Sequence, residues 1–400
     1  MVLIISTLVA ATFSQTLLWV MIGPLLVDMS KDLSVSIPIM SQLTAPMAIV
    51  WLLVAFIAGP ISDMYGRKTI LLLGLIGTII GAIGTSFAWG FGSAIGFRAI
   101  SGLGGVVPPI STAAITDLTP PNHRGKAVGF LTAGGGLAAV IGVPIITFIA
   151  DISHWRWSFI SVGLSTSLIW IVLFFFLHNT KPVQSFGDKS LIIRIFSRYL
   201  PLIRQRIIWN ITAVNTFQRI GSTVLITYFA PFLIIKYGFT TGETALPMGI
   251  VSFGLIIAGF IGGVLAESPL RLKAIPIGFI LSAVLGLLIF FFIPVPYFAV
   301  ALGLIYVTCI YFIFPLSITL FITISGAKLR GTVMTLMPIS NQAGIIIGPA
   351  LAGMALSFGG YEAIGMVCLG IGVLGAILTP LLLQESQIQK ATNELASYSG

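Results

Sequence analysis

Charge is scarce along this chain: Lys, Arg, Asp and Glu make up 8% of its 400 residues, while 57% are hydrophobic. A water-soluble domain with that balance would expose more apolar surface than folded proteins carry, so the solvent must be lipid. Cysteine is nearly absent. Cys309 and Cys368 both fall in apolar runs, where they read as small packing residues, and a disulfide framework is excluded. His123, His154 and His178 are too scattered to form a cluster, so no metal site, catalytic group or cofactor is expected. Long polar stretches are missing as well. The longest, 178–206, spans about 29 residues, too few for a soluble enzymatic or signalling domain.

Apolar runs fill the space that those absences leave. A helix needs about 20 apolar residues to cross a hydrocarbon core of about 30 Å, and twelve such runs are predicted: 3–27, 38–59, 69–88, 91–115, 127–150, 157–177, 207–235, 245–266, 274–293, 297–324, 332–356 and 362–384. The first has no basic stretch before it and reads as a retained helix, not a cleaved signal peptide. The net charge of +9 sits in short loops between spans, which is the pattern of membrane orientation rather than of nucleic-acid binding. With both termini in the cytoplasm, fifteen of the twenty basic residues face that side, so a multi-pass protein of the cell inner membrane is expected.

The stretch 178–206 holds six basic residues and one acid, Asp188, and it divides the spans six and six. The expected organisation is a bundle over 1–177, a cytoplasmic basic linker over 178–206, a second bundle over 207–384 and a tail over 385–400. Within the linker, 191–207 interleaves apolar residues with arginines and could lie on anionic headgroups. The bundles repeat. An offset of 204 sets Phe56-Ile57-Ala58-Gly59 on Phe260-Ile261-Gly262-Gly263, Asp63 on Glu267 and Arg67 on Arg271. At 206, Pro109 falls on Pro315, Arg124 on Arg330 and Gly142 on Gly348. Six spans per repeat give both halves the same orientation, an arrangement that supports rocking alternating access.

The loop after the second span reads Gly59-Pro60-Ile61-Ser62-Asp63-Met64-Tyr65-Gly66-Arg67-Lys68. It resembles the signature loop of the major facilitator superfamily, with Met64 in place of the usual basic residue. Asp117 and Arg124 stand where that family completes a conformational latch, so the resemblance implies a cluster of Gly59, Asp63, Gly66, Arg67, Asp117 and Arg124. Arg98 and Gly102 resemble the family's fourth-helix motif. In the fifth span, Gly134-Gly135-Gly136 and Gly142-Val143-Pro144 resemble the twelve-helix drug-proton antiporters, and most of all their sugar-efflux branch. Gly134, Gly142 and Pro144 would then set helix packing and a kink, since small residues allow close approach and proline removes a backbone donor.

Two arginines fall inside spans, Arg98 about seven residues in and Arg219 about twelve, whereas all eleven acids sit at span ends, in loops or in the tail. A buried Arg costs about 2.5 to 3.5 kcal/mol on insertion scales and normally faces a cavity. With no acid inside the spans to pair with, both point to a small-molecule substrate with an anionic group, or else they pin helix carbonyls. Asn215, Arg219 and Ser222 share one face of the seventh span, and Gln15 and Trp19 form the matching face of the first. Asn341 and Gln342 are added from the eleventh.

The expected fold is thus all-α, twelve transmembrane helices in two pseudo-symmetric six-helix bundles. The expected activity is secondary active transport, with proton-coupled efflux of an amphipathic or anionic compound by a monomer. The alternative is organic-anion uptake or exchange, and a receptor or membrane enzyme is a remote third.

Overall fold

The computed structural model describes residues 2–120, 123–178, 205–291, 295–334 and 336–397, excepting the side chains of 59, 60, 63, 124, 125, 325–334 and 393–397. The linker, apart from its ends, lies outside the described residues, as do the side chains of Gly59, Asp63 and Arg124. Helices account for the described fold, with no strand among the described residues.

Among the described residues, eleven helices are long and apolar enough to cross a membrane. The last of them, Met337–Leu382, is 46 residues long, which as a straight rod would reach about 69 Å, twice what a bilayer core needs. It breaks at Gly359 and Gly360, where Gly360 takes φ 66°, and so supplies both the eleventh and the twelfth pass. Large apolar side chains such as Leu53, Phe148, Phe175 and Phe260 project outward along the spans. That is the surface of a multi-pass membrane protein, since lipid tails cover it at no cost.

Several spans are not uniform. The first runs Val2–Val20, breaks at Met21 and continues as Ile22–Asp32. It therefore ends five residues beyond the expected edge at 27, because backbone hydrogen bonding carries a helix past the point where its side chains turn polar. In the fourth, Phe91–Ser101 passes through a tighter 3₁₀ stretch, Gly102–Val106, into Val107–Leu118. The fifth has a π turn, Ala138–Gly142, between Arg124–Leu137 and Val143–Ile152. Pro144 lies two residues past the end of that turn. It cannot donate to the carbonyl four residues back, and a widened turn absorbs the mismatch.

Two compact units emerge, Met1–Phe186 with Ile226–Gly249, and Gly187–Leu225 with Ile250–Gly400. In the first, glycines bring helices to contact distance. A Cβ on Gly81 of the third span (Arg67–Ser86) would lie 2.5 Å from the backbone nitrogen of Ser101. Gly134 and Gly142 of the fifth span abut Val9 and Phe13 of the first.

The internal repeat is visible in the contacts of each unit. Gly74 rests against the Leu103 carbonyl and Val106, and Gly278 of the ninth span (Arg271–Phe291) rests against the Cys309 carbonyl and Phe312. The glycines are related by the 204 offset and their partners by the 206 offset. One close crossing thus occurs at equivalent places in both halves.

Candidate functional site

At the end of the first unit that carries the Gly66 turn, the chain reverses on a left-handed φ of 87°, which glycine tolerates best. The turn places Arg67 at the start of the third span, and its Nε lies 2.8 Å from an Asp117 oxygen at the close of the fourth. The resemblance implied this pair. Such partly exposed pairs are worth about 0–1 kcal/mol, so the contact can open and close during a cycle. Asp117→Arg is expected to slow transport about tenfold with little change in melting temperature, and Arg67→Asp/Asp117→Arg to restore part of it in vesicle assays. A double variant as slow as the single one would refute the pairing.

The second unit carries its counterpart. Arg271, the offset mate of Arg67, makes a two-oxygen pair at 3.1 Å with Glu385, the first residue of the helix Glu385–Ser397. That helix buries Ile388 and Ala391, so the tail is a docked amphipathic element where the sequence reading placed only a tail.

Arg98 is wholly buried. Its Nε donates to the Leu43 carbonyl at 3.3 Å, and an end nitrogen donates to the Leu18 carbonyl at 2.8 Å. It ties the fourth span to the break in the first and to the start of the second. Gln15 is likewise wholly buried, accepting from the Thr78 hydroxyl at 2.7 Å and donating to the Ser101 carbonyl at 3.4 Å. Trp19, on the same helix, is half-buried. The structure thus brings Gln15 into the packing of three spans, the first, third and fourth, which a helical wheel of the first alone does not reveal. Tyr228 donates to Ser41 Oγ at 2.8 Å and is buried.

In the second unit the part of the seventh span (Arg206–Tyr237) up to Leu225 lies along the first part of Met337–Leu382. Asn215 Nδ2 donates to Ser340 Oγ at 2.7 Å. A Cβ on Gly344 would strike the Arg219 side chain, and one on Gly348 would meet Thr223. In each pair, Asn215 with Ser340 included, one residue follows the other by 125 positions, so the two helices run parallel in fixed register. The small residues of the eleventh span make room for the Arg219 stem. Its guanidinium then reaches the tenth span, donating to the Tyr311 hydroxyl at 3.1 Å with the ring centroid 5.9 Å away. Ser222 donates to the Arg219 carbonyl.

Gln342 falls about 200° around its helix from Gly344, and therefore away from Arg219, because two residues turn a helix by that angle. It does not join Asn341 on the Arg219 side as the sequence reading grouped them. Gln218, which that reading passed over, is wholly buried beside Arg219.

The opposite end of the first unit holds a group that hydropathy did not reveal. A cavity of about 660 Å³ is lined by Asp28, Lys31, Asp32, Asp151, His154 and Thr241, among others. Asp28 accepts from the Thr241 hydroxyl at 2.6 Å, and Asp151 accepts from the Gly242 amide at 3.0 Å. Asp32 pairs with Arg156 at 2.8 Å. Asp28 is therefore a helix residue with a partner, not a solvated loop acid. The four-residue spacing of Asp28 and Asp32 would have shown their shared face, had the first span been carried past 27.

Comparison with known proteins agrees with this architecture. The chain is 26% identical to the MFS-type transporter YwfA of Bacillus subtilis (strain 168), over 90% of this chain and 86% of that protein. It is 34% identical to Multidrug resistance protein 3 of the same organism, over 45% of this chain and 36% of the relative. Its fold matches the crystal structure of a bacterial homolog of the human lysosomal transporter Spinster, with a TM-score of 0.73, 17% identity, and 98% and 97% of the two chains covered. The sequence profile of the Major Facilitator Superfamily matches residues 8–337 and 211–397, and the chain belongs to that family of membrane transporters.

Proposed function

We propose that this chain is an exporter of small organic anions in the cell inner membrane, with both termini in the cytoplasm, working as a monomer by alternating access and driven by protons. The observation that carries the reading is Arg219. It is a guanidinium held in the middle of the seventh span by Tyr311, in a chain whose acids all sit at span ends, in loops or in the tail. A half-buried cation on a small-residue seam favours a carboxylate or phosphate ligand, because the Arg fork matches those groups with two parallel hydrogen bonds. Resemblance of part of the chain to a multidrug resistance protein supports the outward direction. Arg98, with its donors on two backbone carbonyls, is assigned to structure. Asn215, Ser222 and Asn341 line the same site.

The test is transport of radiolabelled organic anions into proteoliposomes, with and without a proton gradient. Arg219→Gln is expected to cut anion flux at least tenfold while leaving the melting temperature of the unliganded protein within a few degrees. Equal flux of cationic and anionic compounds, or anion flux untouched by the substitution, would overturn the reading. Anion exchange is the second reading, favoured by the placement of all acids at span ends, in loops or in the tail. Flux stimulated by a trans anion and indifferent to pH would select it.

A further inference from the structure

The Gln218 side chain has no hydrogen-bond partner at either end of its amide among the described residues, although it is wholly buried. Leaving one such group unpaired costs about 1–3 kcal/mol. Asn341 Oδ1 and Asn215 Oδ1 are also buried without a partner. These orphans are not scattered. Each residue turns a helix by about 100°, so Gln218 lies on the flank one step back from Arg219. Because the seventh and eleventh spans are parallel, the flank reached by stepping back on one is reached by stepping forward on the other. Asn341, one step forward from Ser340, is therefore on the same flank as Gln218.

Depth agrees as well. In the register fixed by Asn215 and Ser340, Asn341 stands opposite position 216, about 3 Å of helical rise from Gln218. The tenth span closes that flank from the other side, with Tyr311 on Arg219 and Tyr306 Oη donating to the Gly221 carbonyl at 2.9 Å. Three elements thus frame one place where a cationic fork and two amide side chains with unused hydrogen-bonding capacity sit within one helical turn. Asn215 stands one residue below the level of Asn341.

We infer that Gln218 and Asn341 select, among organic anions, those that carry hydroxyl groups beside the carboxylate. The inference rests on the anion reading of Arg219. A hydroxyl both donates and accepts, so it can satisfy an amide oxygen and an amide N–H, whereas an alkyl chain satisfies neither and leaves the orphans buried. A site built to bond a substrate hydroxyl rejects the analogue lacking it far more strongly than an apolar pocket rejects an extra methylene.

The experiment uses the full chain, purified in detergent, and follows thermal stabilisation by gluconate and by hexanoate, six-carbon carboxylates with and without hydroxyls. Gluconate is expected to half-saturate at a concentration at least tenfold lower than hexanoate. In Gln218→Met, which keeps the volume, the two should converge to within about threefold with the hexanoate response unchanged. Asn341→Leu should move the ratio the same way, and it serves as the second reading should Gln218→Met fold poorly. Arg219→Gln should lose both responses. Equal potency of the two acids on the unaltered chain, both lost in Arg219→Gln, would overturn the hydroxyl selectivity and leave the anion site standing. A ratio unmoved by either amide substitution would also overturn it. Stabilisation by neither acid would overturn both readings.

Discussion

Arg98→Ala is expected to lower the stability of the detergent-solubilised chain by about 3 kcal/mol or more, the loss that large-to-small changes at packed sites produce. Arg98 is among the largest side chains buried in the protein, so truncation opens a cavity and also strips the Leu18 and Leu43 carbonyls of their donors. Part of the loss is offset, because removing a buried guanidinium recovers about 2.5 to 3.5 kcal/mol of insertion cost. Arg98→Met separates these contributions. Methionine refills most of the volume without restoring a donor, so its remaining deficit reports the two unpaired carbonyls, about 1–3 kcal/mol each. Unfolding in a denaturing detergent would read the order, with the unaltered chain above Met and Met above Ala. An alanine variant as stable as the original would show that the arginine is not a tie between spans.

Gly81→Leu should be the most damaging substitution of a glycine in the first unit. A Cβ there would sit 2.5 Å from the Ser101 nitrogen and 2.7 Å from its Cα. Backbone cannot swing aside as a side chain can, so the third and fourth spans must separate. Overpacking ordinarily costs about 1–3 kcal/mol, and a backbone obstacle places this case at or above the upper end. The separation also pulls Ser101 from Gln15, whose amide donates to the Ser101 carbonyl. Gly136 supplies the contrast, since a Cβ there meets nothing within 4 Å. Gly136→Ala should stabilise its helix by about 0.5–1 kcal/mol. Expression and melting temperature of the two variants would move in opposite directions, and a shared direction would mean that crossing distance does not govern the site.

These contrasts mark what the sequence could and could not reveal. Twelve passes were legible because hydropathy over about 20 residues reports the solvent and little else. The same insensitivity hid the break at Met21, the 3₁₀ stretch in the fourth span and the docked helix after Glu385, none of which alters mean hydropathy. Arg98 stood out as a charge in an apolar run, but its partners are main-chain carbonyls, and these leave no trace in residue types. The glycine run of the fifth span looked like one motif. Gly134 is in close contact and Gly136 is free, a difference set by the neighbouring helix.

Gln218 was missed for a related reason. A face drawn through Asn215, Arg219 and Ser222 marks the seam against the eleventh span, and Gln218 lies a quarter-turn off it, where only the tenth span shows that the flank is enclosed. The repeat was legible in full, down to its change of offset from 204 to 206. The close crossings at Gly74 and Gly278 follow that change residue by residue.

The π turn at Ala138–Gly142 also bears on how relatives of this chain should be aligned. Such a turn is equivalent to one residue inserted into an otherwise regular helix, and everything beyond it is rotated by about 100°. A homologue whose fifth span is α-helical throughout would carry one residue fewer between the positions of Gly134 and Pro144. Aligned without a gap, its lipid-facing side chains would be matched to packing side chains here over all of Val143–Ile152. Deleting a single residue within the turn would remove the widening that accommodates Pro144, so it should be no better tolerated than substituting Gly142, whose Cβ would lie 2.9 Å from the Phe13 ring.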